Sequence, residues 1–393
     1  AKYNGYGNSR IWEIITLIKL YRIMKFRSLF FTALCGMAVS AAMVSCSDDS
    51  GYDPYELGSQ VALPEHRGFV LNEGTYKNND ASISFFDAVN DTASSKECDL
   101  YFVQNKKQLG DTGQDIITYN GNIYVVVYGS NYIAKLNKAG FEEKRHSFFE
   151  NHGQPRYVVA YEGKLYVTTV GGYIVRLDAN TLTLEADCIV GKTPELLIEK
   201  DGVLYVAIGN AYDYTSSSET MAIVDTRNFN DNYVKKVNVM PNTQYVADCG
   251  NYIMVQGMGL DWINTPLWVY DIKNDKAQDT GLNATYAIRT IDDKALCLYS
   301  ETYDWQNYTN HFFIYNPAEM KKEADVTSKI TAEASELATN MVSGFSKGEN
   351  GSFYIMTYPY GVATGTVYHF SSDYKLLGKF TSWGHRPRKV VVM

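Results

Sequence analysis

The chain has 393 residues, of which 45% are hydrophobic, 14% aromatic and 20% charged. This composition is typical of a globular protein with one large domain or two ordinary ones, and it excludes a disordered or collagen-like chain. The formal charge is −8, and residues 1–45 hold six basic side chains against one acid, so the rest of the chain carries −13. So acidic a body repels phosphate backbones, which excludes nucleic acid as a partner.

The first predicted element is a secretory signal over residues 24–45. Lys25 and Arg27 form a positive region, and an apolar run that begins at Leu29 and ends at Val44 leads to Cys46. The run is shorter than the ~20 residues that a membrane-spanning helix needs, and acidic residues follow it. A permanent transmembrane helix is therefore the alternative interpretation, and we expect residues 1–23 to be an upstream extension outside the fold.

Met43-Val44-Ser45-Cys46 resembles a bacterial lipobox, with Met at the position where Leu is usual. Ser47-Asp48-Asp49-Ser50, directly after it, resembles the acidic signal that sends Bacteroidetes lipoproteins to the outer face of the outer membrane. The resemblance implies that Cys46 is lipidated and that residues 46–66 form a tether. Several acyl chains on one residue would anchor the protein stably, because each buried CH₂ contributes about 0.8 kcal/mol.

A repeat runs through the rest of the chain, residues 67–393. Short strand-like runs, most of which end in an Asx or Ser turn, recur seven times at a mean spacing of about 47 residues. The runs are Ile83–Asp87, Ile133–Asn137, Ile174–Asp178, Met221–Asp225, Leu267–Asp271, Phe312–Asn316 and Val367–Ser371. Each follows a second strand, and most of these second strands follow a polar hairpin turn such as Asn120-Gly121. Four strands per unit predict a β-propeller blade.

The two ends of the repeat predict how the ring closes. The first unit begins at Arg67 without an innermost strand, whereas the C-terminal stretch Gly384–Val392 has the pattern of an innermost strand with no unit after it. We therefore predict an all-β, seven-bladed β-propeller closed by the C-terminal strand and preceded by a lipoprotein signal segment. Residues 330–340 are the only stretch with helical propensity, and Cys98, Cys188, Cys249 and Cys297 are expected to be buried free thiols, with pairing as the alternative.

The blade topology places two sets of loops on one face. Loops between the second and third strands carry aromatic residues, and loops that lead into the innermost strands carry polar residues nearer the axis. Rigid aromatic rings around convergent polar groups suit a large, partly apolar, amide-rich ligand. Loop aromatics also cover the ends of propeller cores, and Arg156 could instead form a salt bridge to a neighbouring blade. The predicted ligand-binding residues are Tyr128, Tyr132, Gln154, Arg156, Tyr212, Tyr214, Trp262, Tyr303, Trp305, Tyr308, Tyr358, Tyr360, His385 and Arg386.

The lipobox with its acidic follower, the opening Gly68–Gly74 and the repeated Leu-Tyr-Val strands resemble the YncE-like propeller lipoproteins on the surface of Bacteroidetes. Within that group, the resemblance is to the BtuG proteins, which capture cobalamin and pass it to a TonB-dependent outer-membrane transporter. It implies a lipid-anchored capture protein on the extracellular face of the outer membrane, monomeric by itself, with a bulky small-molecule ligand such as cobalamin or another corrinoid, a TonB-dependent partner and no required cofactor.

Other functions remain as alternatives at this point. The sequence contains no GxSxG, HExxH, EF-hand or phosphate-loop motif, and no cysteine pair at zinc-finger spacing. His152, His385, Asp115 and Glu195 fall near the predicted channel mouth, so a lyase-like site is one alternative. A glycan-binding propeller and a protein-interaction scaffold are the others.

Overall fold

Seven four-stranded antiparallel sheets make up the part of the chain that the computed structural model describes, which comprises residues 52–148, 150–209, 220–259, 261 and 263–393. Pro54–Met393 form one compact unit. Each sheet is one blade, and the seven third strands coincide with the seven runs found in the sequence. The all-β, seven-bladed propeller is thus confirmed. Cys46 and the predicted signal lie outside the described residues.

The strands are numbered in chain order. Blade 1 contains β1 (Arg67–Asn72), β2 (Ser82–Asp87), β3 (Thr92–Ala93) and β28 (Pro387–Val392); blade 2, β4 (Gly113–Tyr119), β5 (Asn122–Val127), β6 (Tyr132–Asn137) and β7 (Glu142–Ser147); blade 3, β8 (Pro155–Tyr161), β9 (Lys164–Thr169), β10 (Tyr173–Asp178) and β11 (Leu184–Ile189); blade 4, β12 (Pro194–Lys200), β13 (Val203–Ile208), β14 (Met221–Asp225) and β15 (Lys235–Val237); blade 5, β16 (Thr243–Cys249), β17 (Tyr252–Gly257), β18 (Pro266–Asp271) and β19 (Lys276–Asn283); blade 6, β20 (Tyr286–Arg289), β21 (Ala295–Glu301), β22 (Thr309–Asn316) and β23 (Lys321–Asp325); blade 7, β24 (Val342–Lys347), β25 (Phe353–Thr357), β26 (Thr366–Phe370) and β27 (Leu376–Thr381).

The degree of burial differs among the four strands of a blade and agrees with the residue types in each strand. The second strands are almost wholly buried, as in β5, because both faces of a middle strand pack against neighbouring blades. The outermost strands carry charge, as in β7 with the sequence Glu-Glu-Lys-Arg-His-Ser, and charged edges resist pairing with other chains. Asx turns end the third strands: the Asp178 carboxylate accepts from the backbone N–H groups of Asn180 (3.0 Å) and Thr181 (2.9 Å).

The innermost strands of the blades surround a central channel. They contact one another in the order β4, β8, β12, β16, β20, β24 and β28, and β28 contacts β4. The C-terminal strand β28 pairs antiparallel with β1, and the Arg67 and Met393 backbones exchange two hydrogen bonds (3.1 and 2.9 Å). This pairing confirms the predicted closure by the C-terminal strand.

Aromatic side chains fill the spaces between blades. At the junction of blades 7 and 1, Phe86 packs against Phe380 with ring centroids 4.6 Å apart, beside buried Tyr354 and Val390. Tyr166 and Tyr205 of the Leu-Tyr-Val strands are buried. Aromatic side chains on strands that are buried on both faces therefore supply much of the core.

The structure adds a helix that the sequence analysis missed. Helix α1 (Leu100–Asn105) joins blades 1 and 2; the Asp99 side chain caps it by accepting from the Phe102 N–H (3.1 Å), and Leu100 and Tyr101 are buried. The prediction that only residues 330–340 are helical was wrong, because a cap and tertiary burial stabilise a segment of ordinary propensity. The predicted stretch contains the end of α2 (Thr327–Glu333) and a 3₁₀ turn, Ser335–Ala338.

Two further predictions concern segments around the propeller core. Val61 and Leu63, within the predicted tether, are buried against blades 1 and 2. All four described cysteines are free thiols; Cys188, Cys249 and Cys297 are buried, whereas Cys98 is half-buried. Burial raises the pKa of the Cys188 thiol to about 12. Among the described residues, no helix is long and apolar enough to cross a membrane.

Candidate functional site

The term upper face is used for one end of the ring. This end carries the loops between second and third strands and the loops that lead into the innermost strands. The opposite end, with the hairpin turns between first and second strands, is the lower face. At the upper face, a cavity of about 400 Å³ opens at the channel axis. Its lining includes Trp305, Tyr308 and Arg386, together with Tyr245 and Tyr286 of the innermost strands.

The turn into the innermost strands fixes the direction of several polar side chains. Thr193, Asn242 and Arg386 each precede an innermost strand and have positive φ, between 49° and 57°. A left-handed backbone is unfavourable for residues with a β-carbon, at a cost of order 1 kcal/mol. Asn242 and Arg386 both line the cavity. The strained turn therefore holds polar groups at the axis.

An ion pair between neighbouring blades forms part of the cavity wall. Arg156 Nε and Nη2 donate to Glu195 Oε2 at 2.9 and 2.6 Å, and Nη1 donates to Gln114 Oε1 at 3.0 Å. The guanidinium also lies 5.2 Å from the centroid of the Tyr128 ring. Burial raises the pKa of the Glu195 carboxyl, and the Arg156 guanidinium opposes that rise. Arg156 thus forms the inter-blade salt bridge that the sequence left as its alternative role, and it does so at the cavity wall.

A second group of charges lies beside it. Arg388 Nη1 contacts Glu73 Oε2 at 2.7 Å, and Arg386 Nη1 contacts Glu73 Oε1 at 3.3 Å. Burial opposes ionisation of Glu73, but the Arg388 and Arg386 guanidinium groups outweigh it and hold the pKa of this carboxyl below 4.5. Arg386 is otherwise exposed, so it can donate to a ligand without leaving Glu73 unpaired.

Five of the predicted aromatic residues fall into three groups. Trp305 (53% exposed) and Tyr308 line the cavity, and the Tyr308 hydroxyl donates to the Trp305 carbonyl at 3.0 Å. Tyr303 and Tyr360 are exposed on the same face beyond the cavity lining. Tyr132 is buried in blade 2, where its hydroxyl donates to the Leu109 carbonyl and Arg145 covers its ring, so it cannot stack on a ligand.

Three other predicted residues lie beside the cavity. Gln154 is exposed in the loop before β8. The Tyr358 hydroxyl contacts His385 Nε2 and donates to the Val362 carbonyl (2.7 Å), and Thr75 Oγ1 lies 3.3 Å from His385 Nδ1. This packing holds Tyr358 and His385 against the blade 7 to blade 1 junction. Tyr212, Tyr214 and Trp262 lie outside the described residues.

The residues considered for catalysis are mostly held in structural contacts. His152 is buried and its Nε2 lies 2.9 Å from Asp187 Oδ2. Asp115 is also buried: one oxygen accepts from Lys389 Nζ (2.7 Å) and the other from the Val158 N–H (3.0 Å). Within the described ranges, no three His, Cys, Asp or Glu side chains are grouped so that they could hold a metal ion.

Sequence reasoning missed the residues on the innermost strands. Tyr157, Tyr245 and Tyr286 project into the channel, with the Tyr245 and Tyr286 ring centroids 5.4 Å apart. Met258, Ile263 and Met341 add apolar surface to the upper cavity. A signal for the tyrosines was present, because Arg156-Tyr157 and Gln244-Tyr245 occupy equivalent positions of the third and fifth blades, and alternation along a strand decides which residue of each pair faces the channel.

Comparisons with known proteins identify the fold. No protein-family model matches this sequence, and the comparison with curated proteins found no match. Among solved structures, a quinonprotein alcohol dehydrogenase-like protein from Bacteroides thetaiotaomicron has a TM-score of 0.55 and 14% identity over 83% of this chain and 77% of that one. AztD from Citrobacter koseri has a TM-score of 0.44 and 10% identity over 84% of this chain and 97% of that one. Virginiamycin B lyase from Staphylococcus aureus has a TM-score of 0.48 and 7% identity over 68% of this chain and 83% of that one. At these identities the likeness to the first structure shows the propeller fold alone.

Proposed function

We propose that this protein is a ligand-capture lipoprotein, which binds a bulky small molecule at the upper face and delivers it to a partner transporter. The observation that carries the proposal is the upper cavity, where the aromatic side chains of Trp305 and Tyr308 and the charged groups of Arg156, Glu195 and Arg386 line the same space. Apolar walls with a few convergent polar groups are the usual makeup of a small-molecule site.

The chemistry of the cavity favours a ligand with flat apolar faces and amide or phosphate edges. Trp305 offers a ring face, Arg386 offers guanidinium N–H groups, and the deeper Gln244 lines the cavity with an amide. Tyr303 and Tyr360, the latter 86% exposed, extend the aromatic surface outside the cavity, so a ligand larger than about 400 Å³ can rest on the rim. A corrinoid such as cobalamin combines these features, and we propose it as the ligand.

The proposed location follows from the sequence. Lipidation of Cys46 would anchor the chain on the extracellular face of the outer membrane, and a TonB-dependent transporter would receive the ligand there. We propose capture without chemical conversion, since in the described structure His152 and Asp115 are engaged in buried contacts.

Isothermal titration with cobalamin, cobinamide and a panel of oligosaccharides tests the proposal. Truncating an aromatic hot spot typically costs about 2 kcal/mol, or about thirtyfold in affinity, so Trp305→Ala should weaken corrinoid binding by that factor. Tyr233→Ala is the matched control, because Tyr233 is an equally exposed ring in the turn before β15 on the lower face.

The possible outcomes separate the ligand from the site. Binding of oligosaccharides but not of corrinoids would contradict the corrinoid assignment and favour a glycan-binding propeller. Corrinoid binding that Trp305→Ala leaves unchanged would contradict the site. Recovery of a chemically altered ligand, detected by mass spectrometry after incubation, would establish the lyase alternative instead.

A further inference from the structure

A second cavity lies in the channel below the upper one. It has a volume of about 500 Å³ and is lined mainly by residues of the innermost strands, together with Gln256 of β17. Tyr245 and Tyr286 line both cavities, and beside them Arg388 Nη2 donates to the Tyr157 hydroxyl at 2.8 Å. Tyr157 and Arg388 line the lower cavity, and Tyr245 and Tyr286 form the boundary that it shares with the upper one.

Buried amide groups in the lining lack hydrogen-bond partners. Gln114 is 2% exposed, and its Oε1 accepts from Arg156. Because an arginine can only donate, this contact fixes the amide orientation and leaves Nε2 as the remaining group, which has no partner in the described part of the chain. Gln256 is also 2% exposed, and its Nε2 likewise has no hydrogen-bond partner among the described residues. Buried N–H donors without acceptors are unfavourable and are normally satisfied by water or a ligand.

Basic side chains outnumber acidic ones around the cavity. Among the described residues, four basic and two acidic side chains line it, and one of the four, Arg388, pairs with Glu73 outside the lining. Both acids are neutralised locally: Asp115 accepts from Lys389 at 2.7 Å, and Asp248 pairs with Arg289 at 2.6 Å. Lys347 is exposed at the lower end of β24 and has no ion pair among the described residues.

The remaining wall is apolar. Leu196, Ile198, Val246, Phe345 and Val390 line the cavity between the buried amides and the basic residues. The opening therefore presents unpaired positive charge, the interior presents hydrocarbon, and the amides of Gln114 and Gln256 offer donors.

We propose that the lower cavity binds a small organic carboxylate with an apolar body. The carboxylate oxygens accept from the buried amides, the body packs on the hydrocarbon walls, and Lys347 supplies the unpaired positive charge. The proposal does not depend on which ligand the upper cavity binds.

Thermal-shift and calorimetric titrations of the purified protein with two acids and their neutral analogues test the proposal. The pairs are 4-bromobenzoate with 4-bromobenzamide, and cyclohexanecarboxylate with cyclohexanecarboxamide. We expect a saturable rise in Tm with an acid and none with its neutral analogue. Loss of one hydrogen bond to a charged group corresponds to about tenfold in affinity, so Gln256→Leu should weaken binding by about that factor. Lys347→Gln should weaken it severalfold.

The matched control is Lys273→Gln, an exposed lysine on the lower face outside the cavity, which should leave affinity unchanged. Crystals soaked in 4-bromobenzoate should show anomalous scattering from bromine within the lower cavity. The proposal fails if neither acid binds, if acids and neutral analogues bind equally, if Lys273→Gln reduces affinity as much as Lys347→Gln, or if bromine occupies the upper cavity instead.

Discussion

Removing the C-terminal strand should open the ring and destroy cooperative folding. The change is a deletion of residues 387–393, which takes away β28 and leaves blade 1 with three strands. β28 pairs with β1 at five positions from Gly68↔Val392 to Asn72↔Pro387, and it also contacts β24 and β4.

The expected loss is large relative to the stability of a protein. At about 1 kcal/mol net for each backbone hydrogen bond, the ladder to β1 contributes several kcal/mol. Burial of Val390 contributes about 1.5 kcal/mol more. The deletion also leaves the buried Asp115 without Lys389, and an unpaired buried charge costs about 3 kcal/mol or more, whereas Glu73 loses Arg388 but keeps Arg386. Together these losses are comparable to the 5–15 kcal/mol or so that separates folded from unfolded domains.

Thermal and urea unfolding followed by circular dichroism measure the effect. We expect the truncated protein to lack a cooperative transition, and a synthetic peptide of residues 387–393, added in excess, to restore part of it. A graded variant guards against simple failure to express: Val390→Ala should cost about 2 kcal/mol, whereas Val89→Ala, at an exposed turn of the same blade, should cost little. A truncated protein that melts cooperatively at the parental temperature would show that β28 does not close the ring.

Two further predictions concern Glu73 and Cys46. Because the folded state lowers the pKa of Glu73, its ionised form stabilises the fold above pH 4.5, and this stabilisation disappears as the pH falls through the lower folded-state pKa. Glu73→Gln should therefore cost about 3 kcal/mol of unfolding free energy at neutral pH and should weaken the dependence of Tm on pH in the acid range. An unchanged dependence of Tm on pH in that range would contradict the assignment. Cys46→Ala should move the protein from the membrane fraction to the soluble fraction with altered processing, whereas Cys98→Ala should not, and retention of Cys46→Ala in the membrane would exclude the lipoprotein hypothesis.

The propeller was predictable because each blade repeats the same local rules. Apolar second strands, third strands ending in Asx or Ser, and polar hairpin turns recur at nearly constant spacing, and a blade that cannot bury its faces alone requires neighbours on both sides. Closure was predictable from the missing strand before Arg67 and the extra one after Gly384. The short helix α1 was not, since its stability comes from the Asp99 cap and from burial of Leu100 and Tyr101 in the assembled core.

Only part of the candidate site followed from the sequence. Loop position places Trp305, Tyr308, Arg156 and Arg386 at the upper cavity, because topology brings those loops to one face. Loop position does not distinguish the exposed loop tyrosines from Tyr132. Tyr132 begins a strand only a few residues from Tyr128, and its side chain is buried in the blade core. Whether a loop tyrosine is exposed depends on the side chains that pack over it, and these come from distant segments such as Leu109 and Arg145.

The sequence by itself determined the number of blades, the strand order within them and the face that carries the aromatic loops, since all three follow from local periodicity and chain direction. Tertiary structure alone decided which charges meet at the axis. Arg156 and Glu195 are 39 residues apart, and Glu73 and Arg388 are 315 apart, and each pair forms only when the tertiary structure brings separate strands side by side. The division of the channel into an upper and a lower cavity has the same origin, because Tyr157, Tyr245, Tyr286 and Arg388 belong to four different blades that curvature of the whole ring brings together.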